Sequence, residues 1–226
     1  MPRSAAAPIA VSVDGQGTVS ALLLAPPDAS ACYVFAHGAG AGMAHSFMAR
    51  LADALAERRI ATLRFNFPAM ERGSRRPDAP PVAHAAVRAA VAEARRRLPA
   101  LPLLAGGKSF GGRMSSQAQA LAPLEGVRGL VFVGFPLHPA GKPGAERAQH
   151  LRDVACPMLF LQGTRDDLAD LALLRAAIAP LGSRATLRVF DDADHAFHVR
   201  ASSGQNDSQV REALADAIAE WAAHLP

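Results

Sequence analysis

A serine flanked by glycines is the feature of this sequence with the clearest chemical meaning. Gly107-Lys108-Ser109-Phe110-Gly111 forms the pattern G-x-S-x-G directly after the apolar run Leu101 to Ala105, and it opens the helical segment Phe110 to Leu121. Between a strand and a helix, this pattern predicts a sharp turn that needs small neighbours and leaves the Ser109 hydroxyl accessible to a substrate. The alternative is a glycine-rich loop that only turns the chain, because the five residues by themselves are a weak signal. Lys108 is expected to point away from the serine.

Two phosphate-binding motifs compete for these glycines, and both fail on spacing. The P-loop pattern would need glycine at position 102, where the chain has Pro102. The segment His37-Gly38-Ala39-Gly40-Ala41-Gly42 is similar to a dinucleotide-binding loop, but that pattern needs glycine at position 43, where the chain has Met43. We therefore expect no nucleotide at either loop.

A serine nucleophile needs a histidine base and an acid that orients this base. Where the serine lies on a turn between a strand and a helix, the three residues follow one another along the chain in the order Ser, Asp, His. Asp166 and Asp167 follow the apolar strand that ends at Gln162-Gly163. We predict Asp166 as the acid because the glycine turn directs the third residue after it inward. Either aspartate is alternatively a cap for the helix that begins near Leu168, and Asp167 is the expected cap.

The base is expected from the segment that follows the last apolar strand. Asp191 to His198 contains two histidines, of which His195 lies closer to the strand and within a tight, aspartate-rich turn. We predict His195 as the general base. His198 is the alternative base and is otherwise an exposed loop residue, whereas Asp194 is expected to form the turn.

Two main-chain N–H groups must converge where negative charge develops on the substrate oxygen. Phe110 supplies one of them because it directly follows the nucleophile. The loop after the third strand is suited to supply the other, since its small residues let the chain fold over the site. We nominate Ala39, with Gly40 next, and we expect His37 to pack and hydrogen-bond within the loop.

The elements around these residues alternate between strands and helices, which predicts an α/β fold with a mostly parallel central sheet and helices on both faces. An N-terminal hairpin adds antiparallel strands at one edge. Only about 25 residues separate the strands at Phe132 and Phe160, which is too few for a cap domain of ordinary size. We therefore predict a single α/β domain over residues 1–226. The predicted strands are Ile9–Val13, Val19–Leu24, Ala31–Ala36, Ile60–Phe67, Leu101–Ala105, Gly129–Phe135, Met158–Gln162 and Ala185–Phe190, and the predicted helices are His45–Arg58, Val82–Leu98, Phe110–Leu121, Leu168–Ala179 and Gln209–Ala223.

Composition limits the classes of partner. The formal net charge is +4, but no run of five like charges occurs, so nucleic-acid binding is not expected. Cys32 and Cys156 form no metal-binding pattern and are expected to be buried thiols in a reducing compartment. No stretch is apolar enough for a membrane span or a signal peptide. We expect a cytoplasmic protein with no metal, no organic cofactor and no membrane partner, whose oligomeric state the sequence does not reveal.

The chain resembles the α/β-hydrolase superfamily over essentially its whole length, within the small, capless, dienelactone-hydrolase-like branch. Four segments more narrowly resemble an uncharacterised hydrolase-like group that includes a subunit of the animal non-specific-lethal acetyltransferase complex. These are His37 to Met43 with Phe47-Met48, Arg64-Phe65-Asn66-Phe67-Pro68, Gly107 to Arg113, and Gly134 to Pro139. The resemblance implies Ser109, Asp166 and His195 as a catalytic triad. A dienelactone hydrolase proper would have cysteine in place of Ser109.

The sequence therefore favours a serine hydrolase that cleaves a small carboxylic ester or thioester, with peptide bonds as a less favoured variant. A non-catalytic interaction module is the rival class, although a scaffold has no chemical need for all three residues. Two sets of residues bear on the substrate, and each has an ordinary structural alternative. The first set would either line an acyl pocket or form core contacts, and consists of Phe110, Phe135, Leu137, Met43 and Phe197. The second set would either attract an anionic substrate or lie solvated on the surface, and consists of Arg64, Arg72, Arg75, Arg76, Lys142 and Arg165.

Overall fold

The computed structural model describes residues 5–74 and 76–225, and an eight-stranded sheet is its centre. The strands are β1 Ala7–Val13, β2 Gly17–Leu24, β3 Ala31–Ala36, β4 Ile60–Phe65, β5 Leu103–Lys108, β6 Val127–Val133, β7 Met158–Gly163 and β8 Ala185–Phe190. Their spatial order is β1-β2-β4-β3-β5-β6-β7-β8. The β1–β2 and β2–β4 pairs are antiparallel and all other pairs are parallel, so the predicted fold class is confirmed.

Helices cover both faces of this sheet. They are α1 Ser46–Ala56, α2 Pro68–Glu71, α3 Pro80–Arg97, α4 Phe110–Leu121, α5 Leu171–Ile178 and α6 Asp207–Ala223. Buried side chains of α1 and α6 share one apolar cluster with alternate residues of the central strands, and those of α3, α4 and α5 share the other. Because successive strand residues point to opposite faces, the nearly unbroken apolar strands supply both clusters.

The element boundaries differ from the sequence prediction where glycine or proline interrupts a pattern. β5 continues through Gly106 and Gly107 to Lys108, since these glycines pair with β3 and β6 although glycine is a poor strand former. β4 ends at Phe65, and Pro68 starts the short helix α2 in a segment for which neither a strand nor a helix was predicted. A 3₁₀ helix at Glu146–Asp153 was not predicted.

The segment between β6 and β7 contains only this 3₁₀ helix within the described residues, so no cap domain covers the carboxyl ends of the strands there. No helix in the described part of the chain is long and apolar enough to cross a membrane. The ends of β3, β5, β7 and β8 therefore open onto loops at one edge of the sheet, and the residues singled out from the sequence lie on these loops.

Candidate active site

Ser109 lies at the junction of β5 and α4 in a backbone conformation that residues other than glycine rarely adopt. Its φ is 50° and its ψ is −115°. The neighbouring glycines allow this turn, because a Cβ at Gly107 or Gly111 would collide with the carbonyl of Ala36 on the adjacent strand. The G-x-S-x-G pattern is thus a strained strand-to-helix turn, and the half-buried Ser109 side chain projects from it.

The serine, histidine and aspartate selected from the sequence are joined by hydrogen bonds. Ser109 Oγ lies 2.8 Å from His195 Nε2, and His195 Nδ1 lies 2.7 Å from Asp166 Oδ2. The Asp166 side chain is fully enclosed, whereas 25% of the His195 side chain is exposed. With its Nδ1 proton donated to Asp166, the imidazole has Nε2 free to accept the serine proton.

Gln162 is a partner of this group that the sequence analysis missed. Its Nε2 donates to Asp166 Oδ2 at 2.5 Å, and its Oε1 accepts the Phe135 N–H at 3.0 Å. Asp166 Oδ1 also accepts the N–H of Leu168 at 2.8 Å. These bonds fix both the carboxylate and the amide that supports it. The signal available in the sequence was a polar residue at the end of an otherwise apolar strand; in the structure, this residue is fully buried.

The turn that carries His195 is held by Asp194, as predicted. Asp194 Oδ1 accepts the N–H groups of Ala196 and His198, at 2.8 and 2.9 Å. A second anchor comes from Lys108, whose Nζ donates to the main-chain oxygen of His195 at 2.5 Å. Lys108 was expected to point away from Ser109; this expectation is wrong, because its side chain reaches the histidine loop and lines the same cavity as Ser109.

Lys108 has an unusual electrostatic environment. Burial lowers the pKa of its ammonium to about 8, although the negative charges of Asp166 and Asp194 act in the opposite direction. The Nζ atom also lies 5.7 Å from the centre of the Phe197 ring. The ammonium is thus poorly solvated and is held between the aspartates and the histidine loop.

The two alternative residues considered from sequence have other surroundings. The expected capping by Asp167 is wrong, because α5 begins only at Leu171 and Asp170 caps it by accepting the Leu173 N–H at 2.9 Å. His198 is exposed, and its Nδ1 lies 2.8 Å from Asp207 Oδ2 at the start of α6. That carboxylate raises the pKa of His198.

A second serine–histidine pair exists, but its chemistry is different. Ser116 Oγ lies 2.7 Å from His150 Nε2, in the middle of α4. The Ser116 hydroxyl donates its single hydrogen to the Arg113 carbonyl at 2.9 Å, so His150 must be the donor in this pair. Ser116 has no exposed surface, and burial followed by the charge of Arg113 lowers the pKa of His150 to about 4. No substrate can reach this serine, and no base accepts its proton.

Of the nominated N–H donors, Phe110 directly follows Ser109 and Ala39 lines the cavity beside it, whereas Gly40 does not line that cavity. Phe110 is the first residue of α4, where the helix leaves N–H groups unpaired. Ala39 and Gly40 are exposed on the loop after β3. Within the described residues, the main-chain N–H groups of these three residues have no hydrogen-bond acceptor. They are therefore available to a bound group. His37, as expected, is buried and hydrogen-bonded, with its Nδ1 2.8 Å from the Gly38 oxygen.

A cavity of about 310 Å³ opens beside Ser109 and His195. Its apolar lining consists of Gly38, Ala39, Ala41, Phe47, Met48, Leu168 and Ala196, and its other polar side chains are His45 and Lys108. None of the five residues considered as pocket walls lines it: Phe135, Leu137 and Phe197 are buried in the core, and Phe110 packs edge-on against Phe67. The core alternative therefore holds for Phe110, Phe135, Leu137 and Phe197, whereas Met43 is partly buried on the loop after β3.

Of the basic residues considered for an anionic substrate, those that the structure describes do not line this cavity either. Arg72 pairs with Asp78, and Arg165 lies 3.7 Å from Asp192. Arg64 is buried rather than solvated. Arg75 lies outside the described residues. Among the described residues, no group of three or more His, Cys, Asp or Glu side chains could hold a metal ion.

Several solved structures share this fold. A dienelactone hydrolase from Anabaena variabilis ATCC 29413 has a TM-score of 0.79 at 22% identity, and the match covers 99% of each chain. XC6422 from Xanthomonas campestris, an α/β serine hydrolase without lid, has a TM-score of 0.74 at 24% identity over 100% of this chain and 97% of the other. An esterase domain from Rhodothermus marinus has a TM-score of 0.74 at 16% identity over 98% and 99%.

The family comparison covers most of the chain. The model of the alpha/beta hydrolase domain family matches residues 29–223, which run from just before β3 through α6 and include every residue of the candidate site. With this match and the strained serine turn on the eight-stranded sheet, the chain belongs to the alpha/beta hydrolase domain family.

Proposed function

We propose that this chain is a serine hydrolase that cleaves a small carboxylic ester or thioester through an acyl-enzyme. Ser109 is the nucleophile, His195 the general base and acid, and Asp166 the carboxylate that orients the imidazole. The N–H groups of Phe110 and Ala39, with Gly40 as the alternative donor, stabilise the oxyanion.

The reaction proceeds in two balanced halves. Ser109 Oγ adds to the substrate carbonyl carbon while His195 Nε2 takes the hydroxyl proton, and the carbonyl electron pair moves onto the oxygen. Collapse of this tetrahedral species expels the alcohol or thiol, which receives the proton from His195. A water molecule then repeats the addition on the acyl-enzyme, releasing the carboxylic acid and restoring the serine proton.

The observation that carries the proposal is the pair of short hydrogen bonds at one open cavity. Ser109 Oγ to His195 Nε2 is 2.8 Å, and His195 Nδ1 to Asp166 Oδ2 is 2.7 Å. Asp166 is itself held by Gln162 and by the Leu168 N–H, so the carboxylate is in place before a substrate binds. Such preorganisation favours catalysis because no group must be reoriented in the transition state.

The cavity supports a compact acyl or alcohol group. Its volume of about 310 Å³ is at the lower end of ligand-binding pockets, which span about 300 to 1,000 Å³. Its walls are largely apolar, and no carboxylate lines it. A long acyl chain would leave most of its methylenes in water, so each added carbon would gain much less than the ~0.8 kcal/mol of full burial.

A non-catalytic interaction module is the second candidate function. The resemblance of the four segments described above to the group that includes a subunit of the non-specific-lethal complex favours it. Against it stands the retention of a complete serine, histidine and aspartate set with its supporting Gln162. Peptide bonds are a less favoured substrate of the same mechanism, and a cytoplasmic, single-domain enzyme without metal or organic cofactor remains our expectation.

Labelling with a fluorophosphonate separates the two candidate functions. We expect covalent modification of Ser109 in the wild type and none in Ser109→Ala. Ser116→Ala is the matched control, since it removes another serine hydroxyl that contacts a histidine. It should be labelled normally per folded molecule. Wild-type protein that stays unlabelled, or a label that mass spectrometry finds on another serine, contradicts the proposal.

A panel of aryl esters that differ only in acyl length tests the substrate class. We expect kcat/KM for acetate or butyrate to equal or exceed that for decanoate, because no lid covers a longer chain. A steady tenfold gain for every two or three added carbons would instead require an enclosed acyl tunnel, and the open cavity would then be the wrong binding site.

A further inference from the structure

The carboxyl end of β4 has a buried arginine that the proposed reaction does not use. Arg64 is only 3% exposed, and it lies on the sheet face covered by α1. Its Nη1 donates to the main-chain oxygen of Met43 at 3.0 Å, while its Nε is buried without a hydrogen-bond partner among the described residues. Burial lowers the pKa of this guanidinium, and the charge of Asp53 on α1 offsets only part of the effect. Such an unfavourable burial needs a compensating reason.

Asn66, two residues after Arg64, also binds the main chain of Met43. Its Oδ1 accepts the N–H of Met43 at 2.8 Å, and its Nδ2 donates to Glu71 Oε1, also at 2.8 Å. Glu71 in turn accepts the N–H of Ser20 on β2 at 2.8 Å. The carboxylate therefore fixes which end of the amide faces Met43. Both main-chain polar groups of Met43 are thus bound by side chains from one short segment.

The other end of the loop is attached to the same segment. His37 Nε2 accepts the N–H of Phe67 at 3.1 Å, and its Nδ1 donates to the Gly38 oxygen at 2.8 Å. Burial lowers the pKa of His37, which favours the neutral ring that these two bonds require. Residues 37 and 43 therefore bracket Ala39 and Gly40 at two fixed points.

Between these two points the loop has little support of its own. Ala39 and Gly40 are exposed, and the bond within this stretch, from Ala41 N to Gly38 O, is 3.3 Å long. Close packing occurs at the anchored end, where a Cβ on Gly42 would lie 3.1 Å from Asn66 Oδ1, whereas a Cβ on Gly40 would meet no atom within 4 Å. The position of the Ala39 N–H thus depends on where the anchors hold the chain.

We propose that Arg64 and Asn66 are positioning residues that hold the loop 37–43 so that its N–H donors face the oxyanion formed at Ser109. This inference rests on the proposed serine hydrolase function. The proposal gives a role to the segment Arg64-Phe65-Asn66-Phe67-Pro68, which the sequence analysis singled out. The segment takes no part in bond breaking, but it anchors the loop 37–43. A fixed donor stabilises developing charge without reorganisation, whereas loss of one oxyanion donor costs about 100- to 1,000-fold in kcat.

The test uses Arg64→Met and Asn66→Leu, which keep side-chain bulk but remove the bonds to Met43. We expect each to lower kcat about 10- to 100-fold with KM within about twofold, because the lost interaction acts mainly in the transition state. Arg64→Lys retains a donor and should recover part of the loss. Arg59→Met is the matched control, since Arg59 also donates to a main-chain oxygen, that of Asp28, at the opposite end of β4.

An aryl trifluoromethyl ketone gives a readout that general destabilisation would not move. Ser109 Oγ adds to its carbonyl carbon, His195 takes the proton, and the carbonyl oxygen becomes an anion. We expect its Ki, measured at a temperature where every variant is folded, to rise by the same factor by which kcat/KM falls.

Failure of this inference and failure of the proposed function are distinguishable. If wild-type protein reacts with the fluorophosphonate at Ser109 but Arg64→Met and Asn66→Leu retain wild-type kcat and Ki, only the positioning inference is overturned. A kcat loss with unchanged Ki also overturns it, since the oxyanion would not be affected. Wild-type protein that neither hydrolyses esters nor reacts with the fluorophosphonate overturns both.

Discussion

Ser109 offers a direct measurement of the strain stored at the candidate nucleophile. Ser109→Ala and Ser109→Gly both lose the hydroxyl and its 2.8 Å contact with His195, so that loss cancels between them. They differ in the Cβ atom, which is held at φ 50° and ψ −115° in the wild type and in the alanine variant. Because Ser109 borders an open cavity, removing its Cβ leaves no buried void.

The expected difference follows from two opposing contributions. A residue in such a sparsely populated backbone region costs about 1 to 3 kcal/mol, which glycine relieves. Glycine itself costs about 0.5 to 1 kcal/mol because its unfolded chain is more flexible. With the middle of each range, we therefore expect Ser109→Gly to be more stable than Ser109→Ala by about 1 kcal/mol. For a chain of this size, that difference corresponds to roughly 2 to 4 °C in Tm.

Urea denaturation followed by circular dichroism measures this difference, provided that the two variants have the same m value. Ser116 provides the matched control, because it lies inside α4 with ordinary helical geometry. There the order should reverse, with Ser116→Gly less stable than Ser116→Ala by at least about 0.5 to 1 kcal/mol, because the loss of a buried Cβ adds to the backbone cost of glycine. If glycine is no better than alanine at position 109 while the control behaves as expected, the turn is not strained and this reasoning is refuted.

Three further predictions concern titratable groups. The free energy of unfolding of the wild type, relative to that of Lys108→Met, should rise from about pH 7 to about pH 10. Burial lowers the pKa of Lys108 to about 8, so the charged ammonium is unfavourable in the folded state. A difference that stays constant with pH in urea titrations would contradict this prediction. His198→Gln should keep wild-type kcat. Its loss of stability should be present below about pH 6.5 and should vanish as pH rises through the pKa of His198, which Asp207 raises. A loss that grows with pH would show that the pair with Asp207 does not raise this pKa. Burial raises the pKa of Cys32 to about 12 and that of Cys156 to about 11. Both thiols should therefore react with a disulfide reagent far more slowly in native protein than in urea-unfolded protein. Equal rates in the two states would contradict this prediction.

Local sequence patterns were sufficient for most of the fold. The bounds of β3, β8 and α4 were predicted to the residue, because apolar runs and helical periodicity are properties of consecutive residues. The alternation of strands and helices also predicted the mostly parallel sheet and the N-terminal hairpin, both of which are confirmed. β5 was misplaced because its glycines form a strand only through pairing with neighbours distant in the sequence.

The sequence by itself determined the candidate residues, since the glycine spacing around Ser109 predicts a sharp turn and Asp166 and His195 each follow a later predicted strand. Tertiary structure alone decided which neighbours meet. It brings Asp166 to His195 and makes Asp170, not Asp167, the cap of α5. It also places Gln162 against Asp166 and Lys108 against the main-chain oxygen of His195. The physical reason is that a side chain's direction within a turn, and its distance from a group more than 80 residues away, depend on how the strands from β5 to β8 pair in the sheet.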